Sequence, residues 1–253
     1  MSDRCYGWIP QAPDPRDREF LRVMAPMELP SSIDLTDEMP PVYDQGQLGS
    51  CTGNAISAAV DYQIGREGKP FINPSRLFVY WNERNLEGTV DQDSGAQIRD
   101  GIKVVNTFGV CPESEWAYDT SQFATRPPDS CYTDALKDRA VSYEAVAQDP
   151  DLTALRSALA QKLPVVIGFS VYSSFESPEV ARSGFAPMPA PGETLMGGHA
   201  VLAVGYVDAT RKVKIRNSWG PGWGLNGYFY LPYEYLASPD LSSDWWAIEV
   251  VGA

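Results

Sequence analysis

One cysteine and the single histidine of the chain could form a nucleophile and its base. Cys51 follows Gly49 and Ser50 at the start of a segment with helical periodicity. A helix N-terminus carries partial positive charge and unpaired N–H groups, which stabilise a thiolate, the reactive form of cysteine. His199 is the only histidine among the 253 residues, so no other imidazole could take the thiol proton. These two residue types would support covalent catalysis through an acyl-thiol intermediate.

Each of these residues also has a purely structural interpretation. Cys51 alone could equally be an inert buried thiol, and a histidine at the start of a strand is more often structural than catalytic. Asn217 lies 18 residues after His199 and could be an ordinary turn residue. A hairpin between the strands that flank this interval would bring the Asn217 amide oxygen to the imidazole, where it would fix the ring tautomer. The spacing therefore allows a triad but leaves the structural alternatives open.

Helical periodicity dominates the first half of the chain, where it would carry Cys51 at a helix start. Ser50 can cap the first turn of that helix through its hydroxyl, and Gly109 follows a later helix as a stop signal. The predicted helices cover residues 50–66, a segment that begins at Asn73-Pro74-Ser75, residues 96–108 and residues 151–162.

The pattern in the second half of the chain predicts strands that are separated by turns containing Gly, Pro and Asp. Helices first and strands later indicate an α+β protein of two lobes, one helical and one a β-sheet or barrel. The predicted strands are Val165–Val171, Ala200–Val207, Lys212–Arg216, Gly227–Leu231 and Trp245–Val251.

Three segments in the same order resemble the papain-like cysteine peptidase family. The distance of 148 residues from Cys51 to His199 lies within the range of about 130–150 for this family, and the 166 residues to Asn217 suggest an insertion around residues 172–194. The resemblance covers roughly residues 29–251 and implies a papain-like two-lobe fold with the active site in the cleft between a helical lobe and an antiparallel β lobe. The segments are Gln45-Gly46-Gln47-Leu48-Gly49-Ser50-Cys51, Gly198-His199-Ala200-Val201 and Asn217-Ser218-Trp219-Gly220.

The resemblance implies a cysteine endopeptidase in which Cys51 attacks, His199 is the base and Asn217 orients the imidazole. Gln45 would be the side-chain donor of the oxyanion hole, together with the backbone N–H of Cys51. Trp219 would pack over the contact between His199 and Asn217. Without the family context, Gln45 would be a loop amide and Trp219 an ordinary core residue.

Substrate contacts are implied for a loop and for the residue before the histidine. Asp93-Ser94-Gly95 resembles the loop whose glycine pairs with the substrate backbone, so Ser94 and Gly95 are candidate contacts. Gly95 could equally form the turn before a helix. Gly198 and Trp219 complete the predicted substrate-binding set.

Three positions depart from the family pattern. Leu48 stands where a cysteine is common, so the neighbouring disulfide is not expected. Thr52 replaces an aromatic residue after the nucleophile. Gly198 stands where many members carry an acid, which limits any transfer of substrate preference.

Residues 1–28 are predicted to be a short leader before a peptidase domain of residues 29–253. The segment is rich in proline and its Tyr6-Gly7-Trp8-Ile9-Pro10 stretch resembles the brief leader of some bacterial members. It should be extended. Either it lies in the cleft and limits access, or it is a structural strap over the surface.

The resemblance implies a peptide or protein substrate, and the composition argues against other classes of partner. A net charge of −13 argues against nucleic-acid and anionic membrane partners, and the sequence contains no apolar run long enough to span a bilayer. One histidine and no C-x-x-C pair make a metal site unexpected, and no cofactor is predicted. The N-terminus lacks the pattern of a secretion signal, so we expect a cytoplasmic location, with export by another route left open. We also expect a monomer. Cys111 and Cys131 stay reduced by default in the cytosol, although they could pair.

Two other function classes remain open at this stage. The chain could be a binding or scaffold protein on an inactive protease fold, which the retention of Gln45, Cys51, His199 and Asn217 argues against. It could also be another thiol enzyme, such as an acyltransferase or amidase, but those often use an aspartate where this chain has Asn217.

Overall fold

The computed structural model describes residues 4–22, 25, 28–140 and 142–249 and confirms the predicted α+β fold of two lobes. One lobe is helical and the other is built on an antiparallel sheet. The helices are α1 (Cys51–Arg66), α2 (Arg76–Glu87), α3 (Ile98–Thr107), α4 (Asp129–Ala135), α5 (Thr153–Ala160), α6 (Pro178–Ser183) and α7 (Tyr233–Ala237).

Helix α1 is the central element because it is buried on nearly every side. All residues from Cys51 to Ile64 are buried, as expected for a helix enclosed between other layers. The predicted cap by Ser50 is wrong: its hydroxyl accepts no backbone N–H of the helix and lies 2.5 Å from Tyr118 Oη. Ser50 has φ −96° and ψ 25°, whereas a capping side chain needs an extended backbone to reach back to the first turn.

Helices α2 and α3 have the expected termini. The Ser75 hydroxyl caps α2 by accepting the N–H of Phe78 at 3.1 Å. Gly109 follows α3 with φ +80°, a conformation that favours glycine and ends the helix as predicted. Helix α5 is about two residues shorter at each end than its predicted range, within the usual uncertainty of helix boundaries.

The sheet of the second lobe has the order β2-β7-β3-β4-β5-β6, with β1 paired to β4, and all these pairings are antiparallel. The strands are β1 (Ser32–Asp34), β2 (Ser142–Ala145), β3 (Val165–Tyr172), β4 (Leu195–Val207), β5 (Lys212–Arg216), β6 (Tyr228–Pro232) and β7 (Ser242–Glu249).

Strand β4 is longer than the sequence predicted and contains His199 instead of starting after it. It pairs with β3 from Ala203 back to Leu195, and His199 lies opposite Phe169. The paired glycines before His199 concealed this extension because glycine is unfavourable in strands. Strand β7 begins three residues before its predicted start, and the predicted end at Val251 lies outside the described residues.

The leader crosses the boundary between the two lobes in an extended conformation. The Trp8 N–H donates to the Gly198 carbonyl oxygen of β4 at 2.9 Å, and the Ile9 N–H donates to the Ala96 carbonyl oxygen of the helical lobe at 3.0 Å. Further along, the Phe20 N–H donates to the Ala145 carbonyl oxygen of β2 at 2.8 Å. The leader therefore bridges the lobes first and then follows the edge of the sheet.

Candidate active site

Cys51 is the first residue of α1, at the position where unpaired helical N–H groups are available. Its Sγ accepts the N–H of Ala200 in β4 at 3.3 Å. Burial raises the pKa of the Cys51 thiol to about 11, although the N–H groups of Ala200, Gly7 and Thr52 act to lower it. The residue is 0 % exposed. With the leader beside it, the Cys51 thiol is neutral, although it lies at a helix N-terminus.

His199 and Asn217 form the predicted contact. The imidazole Nε2 lies 2.9 Å from the Asn217 Oδ1, which also accepts the N–H of Ser218 at 2.9 Å. An amide oxygen can only accept, so Nε2 carries the proton and Nδ1 is left with its lone pair. Nδ1 has no hydrogen-bond partner within the described residues, and burial lowers the pKa of His199 to about 4. The ring is thus held as a neutral base.

The β4–β5 hairpin brings the histidine and the asparagine together. Leu202 of β4 pairs with Arg216 of β5, and the two strands are antiparallel. Asn217, which follows Arg216, therefore lies near the part of β4 that contains His199. Trp219 then covers the pair, with its ring stacked on the imidazole at a centroid distance of 5.0 Å and an angle of 22°. An indole over this contact keeps water from competing for the hydrogen bond.

The Gln45 amide is fully buried and held in one orientation. Its Oε1 accepts the Ser218 hydroxyl at 2.5 Å, and its Nε2 donates to the Leu48 carbonyl oxygen at 2.9 Å. Nε2 also lies 3.4 Å from the Cys5 carbonyl oxygen of the leader. A leader carbonyl therefore stands at the donor that the resemblance assigns to the oxyanion hole.

Two of the predicted substrate-binding glycines contact the leader backbone. The Gly7 carbonyl oxygen of the leader accepts the N–H of Ala96, the residue after Gly95, at 2.7 Å. A Cβ added at Gly95 would lie 2.2 Å from the same oxygen, so only glycine allows this approach. The Gly198 carbonyl oxygen accepts the Trp8 N–H. A peptide backbone thus fits between Gly95 and Gly198.

Ser94 has different contacts from its neighbour Gly95. Its hydroxyl donates to Thr89 Oγ1 at 2.9 Å and to the Gly95 carbonyl oxygen at 3.1 Å, within its own loop. A substrate contact by Ser94 stays a prediction.

Sequence reasoning missed the residues that hold the nucleophile loop. The Asp93 carboxylate accepts the Gly49 N–H at 3.0 Å and the Tyr80 hydroxyl at 2.5 Å. Tyr118 donates from its hydroxyl to the Gln45 carbonyl oxygen at 2.9 Å. The only sequence signal was the position of Asp93 beside the loop of Gly95, because these contacts join distant parts of the chain.

Cys111 and Cys131 are not joined by a disulfide. Cys111 and Cys131 are buried, and burial together with the neighbouring Cys131 side chain raises the pKa of the Cys111 thiol. The disulfide that the sequence left open is not formed in this structure, and Cys5 is not bonded to Cys51. The part of the chain that the structure describes contains no cluster of three metal-ligating side chains and no helix that could span a membrane.

A buried carboxyl, Glu83 of α2, lies behind the start of α1. The hydroxyl of Thr52 donates to its Oε2 at 2.7 Å, while its Oε1 has no partner within the described residues. Burial raises the pKa of Glu83 to about 8. Glu83 is therefore protonated at neutral pH, where an ionised carboxylate would be costly.

This pKa predicts that Glu83→Gln stabilises the protein at alkaline pH. The folded chain holds the proton more tightly than the unfolded chain, so the wild type loses stability as the pH rises from about 4.5 to 8. Glutamine cannot ionise and avoids this loss. The free energies of unfolding in urea should be similar for wild type and Glu83→Gln at pH 5. At pH 8 the variant should be more stable than wild type by roughly 2–4 kcal/mol. The exposed Glu179→Gln serves as the control, and an equal pH dependence of wild type and Glu83→Gln would contradict the prediction.

Comparisons with known proteins agree with this geometry. Residues 29–237 match the family described as papain family cysteine protease. Among solved structures, the cysteine protease Xylellain from Xylella fastidiosa is 43 % identical with a TM-score of 0.90, over 98 % of this chain and 97 % of that chain. Digestive procathepsin L 3 of Tenebrio molitor, at 18 % identity and a TM-score of 0.72, shares the fold.

Curated relatives point the same way. An uncharacterized peptidase C1-like protein of Acanthamoeba polyphaga mimivirus is 45 % identical over 215 residues, which cover 82 % of this chain and 69 % of the relative. Cysteine proteinase 3 of Entamoeba histolytica is 26 % identical, and the match covers 80 % of this chain but 62 % of that protein's length. With the family match over most of the chain and the contact between His199 and Asn217 in place, this chain belongs to the papain family of cysteine proteases.

Proposed function

We propose that this chain is a cysteine endopeptidase whose cleft is closed by its own leader in the form described above. The observation that carries the catalytic assignment is the bond from His199 Nε2 to Asn217, which leaves Nδ1 unpaired as a base. Cys51 at the start of α1 supplies the thiol, and Gln45 supplies a fixed N–H donor.

The residues would act in two steps. Nδ1 of His199 takes the Cys51 proton, and the sulfur attacks the carbonyl carbon of the scissile bond while Gln45 Nε2 and the Cys51 N–H bind the resulting oxyanion. The imidazolium then protonates the leaving amine, and a thioester remains on Cys51. Water, deprotonated by His199, attacks this thioester and releases the new carboxylate and the thiol.

The alternatives that the sequence left open are less well supported. An inactive scaffold has no need for an orienting amide on Nε2, a free Nδ1 and a buried, oriented Gln45. An amidase or acyltransferase would also form a thioester, but the leader shows a cleft that pairs with an extended peptide backbone on both sides. That pairing favours a peptide substrate.

The leader contacts favour an inhibitory segment over a passive strap. Arg4 lies 4.0 Å from the centre of the Trp219 ring, and Tyr6 meets the His199 ring edge-on at 5.9 Å. The Tyr6 hydroxyl donates to Glu176, and the Gly7 N–H is directed at the Cys51 sulfur. The leader thus presents an N–H to the nucleophile and leaves no room for substrate. The domain boundary after residue 28, a cytoplasmic location and a monomeric state stay predictions.

Inhibitor labelling tests the assignment directly. The full chain, with and without Gly7→Val to displace the leader, is treated with an epoxide inhibitor of cysteine peptidases, and the adduct is located by mass. We expect the adduct on Cys51 in the Gly7→Val protein and much less in the parent chain. Labelling of Cys111 or Cys131 alone, with hydrolysis of no peptide substrate, would refute the peptidase assignment.

A further inference from the structure

A single hydroxyl joins the two ends of the loop that carries the oxyanion donors. Tyr118 lies in the segment between α3 and α4, and its Oη donates to the Gln45 carbonyl oxygen at 2.9 Å. The same Oη lies 2.5 Å from the hydroxyl of Ser50, the residue before Cys51. In the proposed mechanism, Gln45 supplies one oxyanion donor and the backbone N–H of Cys51 supplies the other. Tyr118 therefore contacts the loop next to both donors.

The hydrogen bonds around Ser50 have one consistent direction. Asn54 Nδ2 donates to the Ser50 hydroxyl at 3.1 Å. Because Tyr118 gives its proton to the Gln45 carbonyl oxygen, which can only accept, the Ser50 hydroxyl donates its own proton to Tyr118 Oη. Burial raises the pKa of Tyr118, so its hydroxyl stays protonated. This chain of donors begins at Asn54 and ends at the backbone of Gln45.

A charged pair holds the Tyr118 ring in place. The guanidinium carbon of Arg76 lies 3.8 Å from the centre of the ring. Arg76 forms a salt bridge with Glu113 at 2.9 Å, and the Glu113 carboxylate also accepts the backbone N–H of Tyr118 at 3.3 Å. Another N–H of Arg76 donates to the carbonyl oxygen of Asp44, the residue before Gln45, at 3.0 Å. These contacts fix the ring, so its hydroxyl can fix the loop instead of following it.

The loop of residues 45–50 has little rigidity of its own. It contains two glycines, of which Gly46 has φ +62°. Glycine loses more conformational freedom on ordering than other residues do. The loop contains no cysteine, so no disulfide holds it. Its position therefore depends on hydrogen bonds from other segments, namely those of Asp93, Ser218 and Tyr118.

We propose that Tyr118 is a positioning residue of the oxyanion hole, which sets the place of Gln45 Nε2 relative to the Cys51 N–H. The inference rests on the proposed function of the chain as a thiol peptidase. Negative charge develops on the attacked oxygen only in the transition state, so a displaced donor lowers kcat and leaves substrate binding nearly unchanged. Loss of a whole donor costs about 100- to 1,000-fold in kcat, and displacement of one donor should cost about 5- to 30-fold.

Two small reagents separate the oxyanion hole from the reactivity of the thiol. p-Nitrophenyl acetate acylates Cys51 through a tetrahedral oxyanion: the sulfur bonds to the carbonyl carbon, the ester C–O bond breaks and p-nitrophenolate leaves. Iodoacetamide alkylates the same sulfur by displacement of iodide, and no oxyanion forms. The ratio of the two rates therefore reports the oxyanion hole and not the ionisation of Cys51.

Both rates are measured on the full chain carrying Gly7→Val, with the adducts located by mass. Tyr118→Phe keeps the ring and removes only the hydroxyl. We expect it to lower the acylation rate about 5- to 30-fold and to leave the alkylation rate within about twofold. The kcat for a fluorogenic peptide should fall by a similar factor, with KM within about twofold of the parent value. Thermal melting confirms that the variant is folded, and an equal loss of both rates would overturn the inference.

A double-mutant cycle tests whether Tyr118 acts through Gln45. Gln45→Ala removes the side-chain donor, so Tyr118→Phe has no donor left to displace in that background. We expect its effect on acylation to shrink to less than about threefold there. Effects of the two substitutions that multiply in full would give Tyr118 a separate role and overturn the inference.

Tyr132 of α4 provides the matched control. Its hydroxyl donates to Asn82 Oδ1 at 3.0 Å, and its ring packs against Phe78 and Phe108. Tyr132→Phe therefore removes a comparable hydrogen bond from the same lobe, and it should leave both rates near those of the parent. A selective loss of acylation in Tyr132→Phe equal to that in Tyr118→Phe would contradict the specific role of Tyr118.

The two reagents also separate this inference from the proposed function. Selective loss of acylation in Tyr118→Phe, with no peptide hydrolysed by the parent, would refute the peptidase function and leave the role of Tyr118 standing. Peptide hydrolysis by the parent, with the same acylation rate in Tyr118→Phe, would refute the role of Tyr118 alone. A parent whose Cys51 is alkylated but never acylated would refute both.

Discussion

Replacement of Gly7 by valine is expected to raise the turnover of a small peptide substrate by about 100-fold or more. A Cβ at residue 7 would lie 1.7 Å from the Gly49 carbonyl oxygen, which is backbone in the loop before Cys51 and cannot move aside. The leader would have to leave the cleft, with loss of three backbone hydrogen bonds and the burial of Trp8. At about 1 kcal/mol for each hydrogen bond and about 2 kcal/mol for the side chain, these contacts favour the closed form of the parent chain by more than a hundredfold. Turnover can therefore rise by about that factor when the leader leaves.

The comparison needs initial rates and the alkylation rate of Cys51, both measured on the full chain. Gly222 provides a matched control, because a Cβ there would meet nothing within 4 Å and its φ is ordinary. Gly222→Val should leave both rates near those of the parent. If Gly7→Val is folded and its two rates are unchanged, the leader is a strap and not an inhibitor.

Replacement of Cys51 by alanine in the Gly7→Val chain is expected to abolish peptide hydrolysis. Loss of a nucleophile in a catalytic triad removes a factor of about 10⁴ or more from kcat, since the base and the oxyanion hole cannot form the acyl intermediate. Hydrolysis is measured with a fluorogenic peptide substrate, and binding of that peptide to the variant is measured separately. Binding should persist, because the backbone partners at Ala96 and Gly198 are untouched.

Cys111→Ala is the control for loss of a thiol. Cys111 is a buried free thiol outside the set of groups that surround Cys51. Its substitution should preserve hydrolysis in a folded protein. Residual turnover in Cys51→Ala within tenfold of the Gly7→Val parent would mean that another group attacks the substrate.

The elements that the sequence predicted well are those with a strong local signal. Helix α1 and the start of α2 follow from apolar periodicity and from Ser75, and the strands β3 and β5 follow from β-branched runs. Helices α4, α6 and α7 were missed, because five to seven residues are too few to show a periodicity. The start of β4 was misplaced because its pairing with β3, and not its own composition, extends it through two glycines.

The sequence by itself determined which groups could do the chemistry. The types and order of Cys51, His199 and Asn217 allowed a triad, since a single histidine leaves one choice of base, and the family resemblance implied that Gln45 is the oxyanion donor.

Only the tertiary structure decided the state of that site. The closure of the cleft, the neutral Cys51 and His199, the protonated Glu83 and the contact of Trp8 with Asp244 join residues up to 236 positions apart. Burial and long-range pairing set these properties, and neither is encoded in any local stretch of the chain.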